Sequence, residues 1–177
     1  AKFHQPCSII RNNQNISQLL VTDIYNNAIR IVAVGDGFAG TLIKSITVRD
    51  PWSLTKNTAG DIFVTNNYAA VYRISYTEKT YTLIAGSPHT TGYRDSSLLS
   101  SLFYQPRELI FIQTNKLLIA DNDNNKLRLL HLDEDKVTTA NLCTGCVSIL
   151  WPYSIMLNND YLYVGQYRKI LRFKCKF

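Results

Sequence analysis

Four times along this chain an apolar residue is followed three places on by proline and three further on by Ile or Leu. The sets are Phe3/Pro6/Ile9, Val48/Pro51/Leu54, Phe103/Pro106/Leu109 and Ile149/Pro152/Ile155. Behind each proline comes a second apolar run with a small or polar ending: LLVTD from Leu19, IFVTN from Ile62, LLIAD from Leu117 and LYVGQ from Leu162. A third run comes next each time and carries an arginine, at Arg30, Arg73, Arg128 and Arg172. The runs are short, rich in Leu and β-branched residues, and bounded by Asn, Asp or Thr, as antiparallel strands in a meander are. Repetition at about 45 residues, with one interval lengthened by about ten, predicts a β-propeller or a related array of four-stranded units.

The repeats set the boundaries. A single all-β domain over residues 1–177 is expected, with blades at about 3–47, 48–102, 103–148 and 149–177. Ile9, Leu54, Leu109 and Ile155 should occupy equivalent buried positions. Repeats one to three each supply four candidate strands, whereas repeat four supplies three, near 153–157, 161–166 and 169–175. The last blade is therefore expected to be incomplete in this chain, its outer edge open to a strand from a neighbouring molecule. The lengthened interval falls at 87–102, where SSLLSSLF predicts a helical turn or two and Leu98, Leu99 and Leu102 would plug the gap between blades.

Two stretches carry a resemblance. DIYNNAIRI from Asp23 and DNDNNKLRL from Asp121 resemble the core of the NHL repeat. The run TLIAGSPHTTGYRDSSLLSSLFYQP from Thr82 is similar to the inter-repeat segment of that family, using Gly86, Gly92, Tyr93, Asp95, Phe103 and Pro106 in order. The resemblance implies an NHL-like propeller with Asp and Asn side chains holding tight turns. Such propellers usually have more than four blades, so it also implies a small member, a fragment, or a protomer completed by something else. The family includes RNA-binding domains and a metal-dependent lyase that processes amidated peptides.

Other motifs point less far. Gly35 to Gly40 reads GDGFAG, the spacing of a dinucleotide fingerprint, but the next residues are TLIKSI, a strand; that motif works only where it opens a helix. Asp121, Asp123 and Asn125 open like a calcium loop, yet Lys126 and Leu132 stand where Gly and Glu are required, which excludes an EF-hand. No cofactor is expected. His4, His89 and His131 lie at unrelated repeat positions and form no metal-ligand spacing. No catalytic residue is assigned, and the chain is read as a non-enzyme.

The formal charge is +6, and Arg168, Lys169, Arg172, Lys174 and Lys176 cluster near the end. They are candidates for binding or assembly, as an attractor of anionic ligands or as a solvated strand face that blocks edge pairing. Cys7, Cys143, Cys146 and Cys175 allow three connectivities. A closed ring would bring the first and last blades together, favouring Cys7 with Cys175 and Cys143 with Cys146, hence an oxidising, extracellular setting. The sequon at Asn15 would suit a secreted protein. No run of about 18 apolar residues is present, so no membrane-spanning helix is expected. The function expected is a secreted, non-catalytic binding or self-assembly module, with a protein partner or second copy at the edge of blade four. The alternatives are an RNA- or anion-binding domain and the lyase.

Overall fold

The computed structural model describes residues 2–12, 15, 17–35, 39–44, 48–140 and 148–174, with backbone alone at 39, 43 and 44. Its strands form four antiparallel sheets side by side. Blade one holds β1 (Pro6–Arg11), β2 (Gln18–Asp23), β3 (Ala28–Ala33) and β4 (Ala39–Lys44). Blade two holds β5 (Pro51–Lys56), β6 (Ile62–Asn66), β7 (Ala70–Ser75) and β8 (Thr80–Gly86). The lengthened interval contributes β9 (Ser96–Ser97), and blade three continues with β10 (Pro106–Gln113), β11 (Lys116–Asp121), β12 (Lys126–His131) and β13 (Lys136–Thr139). Blade four holds β14 (Ser154–Asn158), β15 (Tyr161–Gln166) and β16 (Lys169–Lys174). This is the expected all-β, four-bladed propeller arrangement, with three strands in the last blade among the described residues.

The proline repeat has a backbone meaning. Gln5, Asp50, Gln105 and Trp151, each just before a proline, all adopt the left-handed conformation, at φ 59°, 47°, 50° and 45°. Non-glycine residues seldom go there, so its fourfold recurrence is a built turn into the innermost strand. The carbonyls of Gln5, Asp50 and Gln105 then accept the N–H of Ile24, Asn67 and Asn122, just past the second strand of each blade. The small or polar ending of that strand stitches blades together: Thr22 Oγ1 donates to the Trp52 carbonyl and Thr65 Oγ1 to the Arg107 carbonyl. Where Ala120 cannot, Asn122 Nδ2 donates to the Pro152 carbonyl.

Three apolar clusters lie between blades. Leu20, Ile29 and Ile10 meet Leu54, Val64 and Tyr72 between the first two blades. Phe63, Val71 and Ala85 meet Leu109, Ile119 and Phe103 between the next two. Leu118, Leu127 and Ile110 meet Ile155, Leu162 and Val164 between the last two. Leu54, Leu109 and Ile155 are 4%, 1% and 3% exposed, as expected. Ile9 corrects the fourth expectation at 59% exposed: its face of β1 is turned away from blade two, and no described blade precedes it. Innermost strands β1, β5, β10 and β14 pack consecutively, whereas β14 and β1 do not pack on one another as those neighbours do.

The interval between blades two and three is ordered. It forms a 3-10 turn at Leu98–Ser100, and β9 adds a fifth strand to blade three by pairing with β13. Leu98 is buried and Leu102 half-buried, so both plug the gap; Leu99 is exposed and does not. Gly86 is held at φ +79°, where a Cβ would meet the Ala69 carbonyl oxygen at 2.2 Å and the Phe103 ring at 2.8 Å, so only glycine fits.

Candidate functional site

Residues of the inter-blade segment and of blade three assemble around Arg128, which is wholly buried. Its Nη1 donates to Asp121 Oδ2 (2.8 Å) and the Leu102 carbonyl (2.9 Å); its Nη2 donates to Asp95 Oδ1 (2.6 Å) and the Arg94 carbonyl (2.9 Å), and Nε to Asp95 (3.0 Å). Phe103 and Tyr93 lie 5.1 and 5.0 Å from the guanidinium. All five N–H donors are engaged, so Arg128 is a structural rivet. Asp121 also accepts the Tyr104 N–H, and Asn125 accepts that of Trp151, so the Asp/Asn knot serves the turn. Arg30 repeats the plan with Asp23, the Lys2 carbonyl and Thr41. For Asp23, burial raises the carboxyl pKa, but the His4 N–H, Asn26 and Arg30 outweigh it and leave the net below the ordinary value. Arg73 and Arg172 are exposed.

A second arginine has a different environment. Arg107, on β10 one residue after Pro106, is 8% exposed. Its guanidinium lies 3.8 Å from the Trp52 ring centroid and 5.7 Å from that of Tyr153, side chains of the blades on either side. Its Nη1 donates to Asn67 Oδ1 and its Nη2 to Gln105 Oε1, while Nε has no acceptor among the described residues. Burial lowers its pKa, against the through-space pull of Tyr153, Asp123 and Cys7. Beside it opens an axial funnel of about 380 Å³ lined by Cys7, Ile9, Trp52, Glu108, Tyr153 and Ser154. Burial raises the Glu108 pKa, although Glu108 Oε2 accepts the Ile155 N–H at 2.8 Å. Burial likewise raises the Cys7 thiol, with Arg107 opposing and Glu108 reinforcing. Sequence reasoning missed this mouth. The signal available was a charged pair, Arg107-Glu108, directly behind one of the repeat prolines, where the other repeats carry Cys-Ser, Trp-Ser and Tyr-Ser.

Among the described residues, both ends of the row of blades are open. The free face of blade one presents Ile9, Val21 and Val32 with Phe3 and Pro6 around a groove of about 370 Å³. The far face of blade four presents Met156 and Ile170, 55% and 74% exposed, with Tyr163 between them. Arg168, Lys169, Arg172 and Lys174 are exposed on and beside β16, and Arg172 lies 4.9 Å from the Tyr161 ring. Asn15 is exposed. Cys7 is exposed and free; Cys143, Cys146, Cys175 and Lys176 lie outside the described residues. β16 ends at Lys174, opposite Tyr161. Among the described residues no three His, Cys, Asp or Glu side chains converge as a metal ion needs, and no helix is long and apolar enough to cross a membrane.

No protein-family model matches the chain and no curated protein does. Solved structures do. A structural genomics protein of unknown function from Bacteroides thetaiotaomicron superposes with a TM-score of 0.81 at 15% identity, over 98% of this chain and 48% of that one. An auxiliary nutrient binding protein from Bacteroides ovatus gives 0.74 at 16% identity, over 89% and 44%. Virginiamycin B lyase from Staphylococcus aureus gives 0.67 at 16% identity, over 96% and 55%. The chain spans about half the length of these structures, and at such identities the likeness concerns the fold alone.

Proposed function

We propose that this chain is a non-catalytic, extracellular NHL-type propeller that works as a binding and self-assembly module, the open faces of its first and last blades being covered by those of a second copy. The observation that carries this reading is Ile9. It holds the position at which Leu54, Leu109 and Ile155 are buried by the preceding blade, and it is the one left in solvent. Leu54 packs against the side of β1 that carries Ile10, and Ile155 against the side of β10 that carries Ile110. Met156 is the residue of β14 in the same place as Ile10 and Ile110. Ile9 of one copy therefore has a ready counterpart in Met156 of another, and two copies joined head to tail at both ends close a ring of eight blades by symmetry. That the propellers this chain matches are about twice its length supports a ring of that size. Proteins of this fold described as nutrient binding support a binding role by analogy of fold. The basic residues at 168, 169, 172 and 174 flank the blade-four face and select its partner.

Charge exchange tests the contact. Ile9→Lys and Met156→Glu each abolish association alone, and an equimolar mixture of the two variants restores a mixed dimer. A mixture no more associated than either variant overturns the reading. The extracellular part, including glycan at Asn15 and pairing of Cys7, is tested by nonreducing peptide mapping; four free thiols would contradict it.

A further inference from the structure

We propose that the face of the propeller at which the innermost strands begin is a platform for a neutral carbohydrate chain of flat, equatorially substituted pyranoses, such as β-linked glucose. Pro6, Pro51 and Pro106 pair with Asp23, Asn66 and Asp121, and Ser154 with Gly165, so the entry loops and the turns after each second strand share that face. It exposes the rings of Tyr25, Tyr68, Tyr104 and Trp151. The turns at the opposite face expose one large apolar side chain, Val34, among the described residues. None of the four rings belongs to the surfaces proposed to pair copies, so the platform stands apart from that pairing.

The rings are mounted on held backbone. The N–H groups of Tyr68, Tyr104 and Trp151 donate to Asn66 Oδ1 (3.4 Å), Asp121 Oδ1 (2.8 Å) and Asn125 Oδ1 (2.8 Å), and the Tyr68 carbonyl accepts the N–H of Gln105, beside Tyr104. Preorganised rings lose little freedom on binding. Trp151 also stands at φ 45°, in the place that Gln5, Asp50 and Gln105 take in the other blades. A bulky side chain is unfavourable in that conformation, and the turn does not require one. With half its surface in solvent it adds little to the core, so the strain points to use on the surface.

The groups between the rings set the chemistry of the ligand. Arg107 can only donate, so its bonds to Asn67 Oδ1 and Gln105 Oε1 fix the orientation of both amides. Their NH2 groups, without acceptors among the described residues, remain as donors. Asp123, whose N–H donates to the Tyr104 carbonyl, keeps its carboxylate free to accept. Donors and an acceptor beside aromatic faces match a molecule with hydroxyls on its rim and C–H bonds on its flat side, which meet the negative face of the rings. Asp123 opposes a polyanion such as nucleic acid. A proline-rich peptide, lacking N–H donors, leaves that carboxylate unserved.

Cellopentaose and chitopentaose are the probes, read by NMR at the Trp151 indole N–H and at the Tyr68 and Tyr104 amides. Saturable shifts are expected at concentrations up to about 10 mM. Trp151→Gln, the residue type that blades one and three carry at this place, weakens binding about tenfold. Leu99→Gln, at an exposed residue off this face, leaves it unchanged. Ile9→Lys responds as the wild type does, which separates ligand binding from the pairing of copies. Shifts from neither saccharide, or larger ones from decaproline or oligothymidine, overturn the proposal even should Trp151→Gln fail to fold. So does undiminished affinity in folded Trp151→Gln, or a response lost in folded Ile9→Lys.

Discussion

Ile9 and Leu54 stand at the same register position in successive blades, opposite Val21 and Val64 respectively, yet one is 59% exposed and the other 4%. The difference lies in what each meets. Leu54 packs on blade one, and Ile9 faces outward beside the groove that Val21 and Val32 line.

Packing energy should track that contrast. Leu109→Ala, in the cluster between blades two and three, should cost about 2 to 5 kcal/mol in urea unfolding. Ile9→Ala, measured at protein concentrations low enough to keep copies apart, should cost less than about 0.5 kcal/mol, as an exposed substitution does. Equal costs would mean that blade one is covered within its own chain.

The two kinds of arginine should separate in the same assay. Asp121→Ala leaves Arg128 buried and short of a counter-charge, which costs about 3 to 5 kcal/mol. Arg73→Ala breaks a pair with Asp61 in which Arg73 is 54% exposed, and should cost no more than about 1 kcal/mol.

Glu108 gives stability a pH slope of definite sign. Burial holds its folded pKa above the ordinary 4.5, despite the Ile155 N–H. Between those two values the folded chain binds more protons than the unfolded one, so Glu108's contribution to stability falls as pH rises through that window. Glu108→Gln keeps an acceptor for Ile155 and should flatten that part of the profile, with a higher Tm than the wild type at neutral pH. An unchanged slope would contradict a half-buried, ionisable Glu108.

Gly86→Ala should be strongly destabilising, because its Cβ would meet the Ala69 carbonyl and Phe103 and the φ is positive. A cost above about 1 kcal/mol in chemical unfolding is expected; a neutral effect would mean that the turn into the inter-blade segment can relax.

The strands were legible because each apolar run is local and the repeat multiplies its signal. Gln18–Asp23 and Tyr161–Gln166 begin and end where the residue pattern predicts. The role of Asp95 could not be read so directly: it lies far along the chain from Arg128 and meets it only because the inter-blade segment folds back over blade three. The exposure of Ile9 was illegible for a related reason. A repeat position says which face a residue takes, and whether that face is covered depends on the neighbouring blade. The Arg107 mouth needed three blades placed together before Trp52 and Tyr153 could flank one guanidinium.

Sedimentation equilibrium of the wild-type chain at about 10 μM protein reads the pairing of end faces without any intermediary. Closure by a second copy predicts a particle of twice the 20.2 kDa chain mass that falls to the single-chain mass in Ile9→Asp. A wild-type chain sedimenting as a stable monomer at that concentration would contradict it.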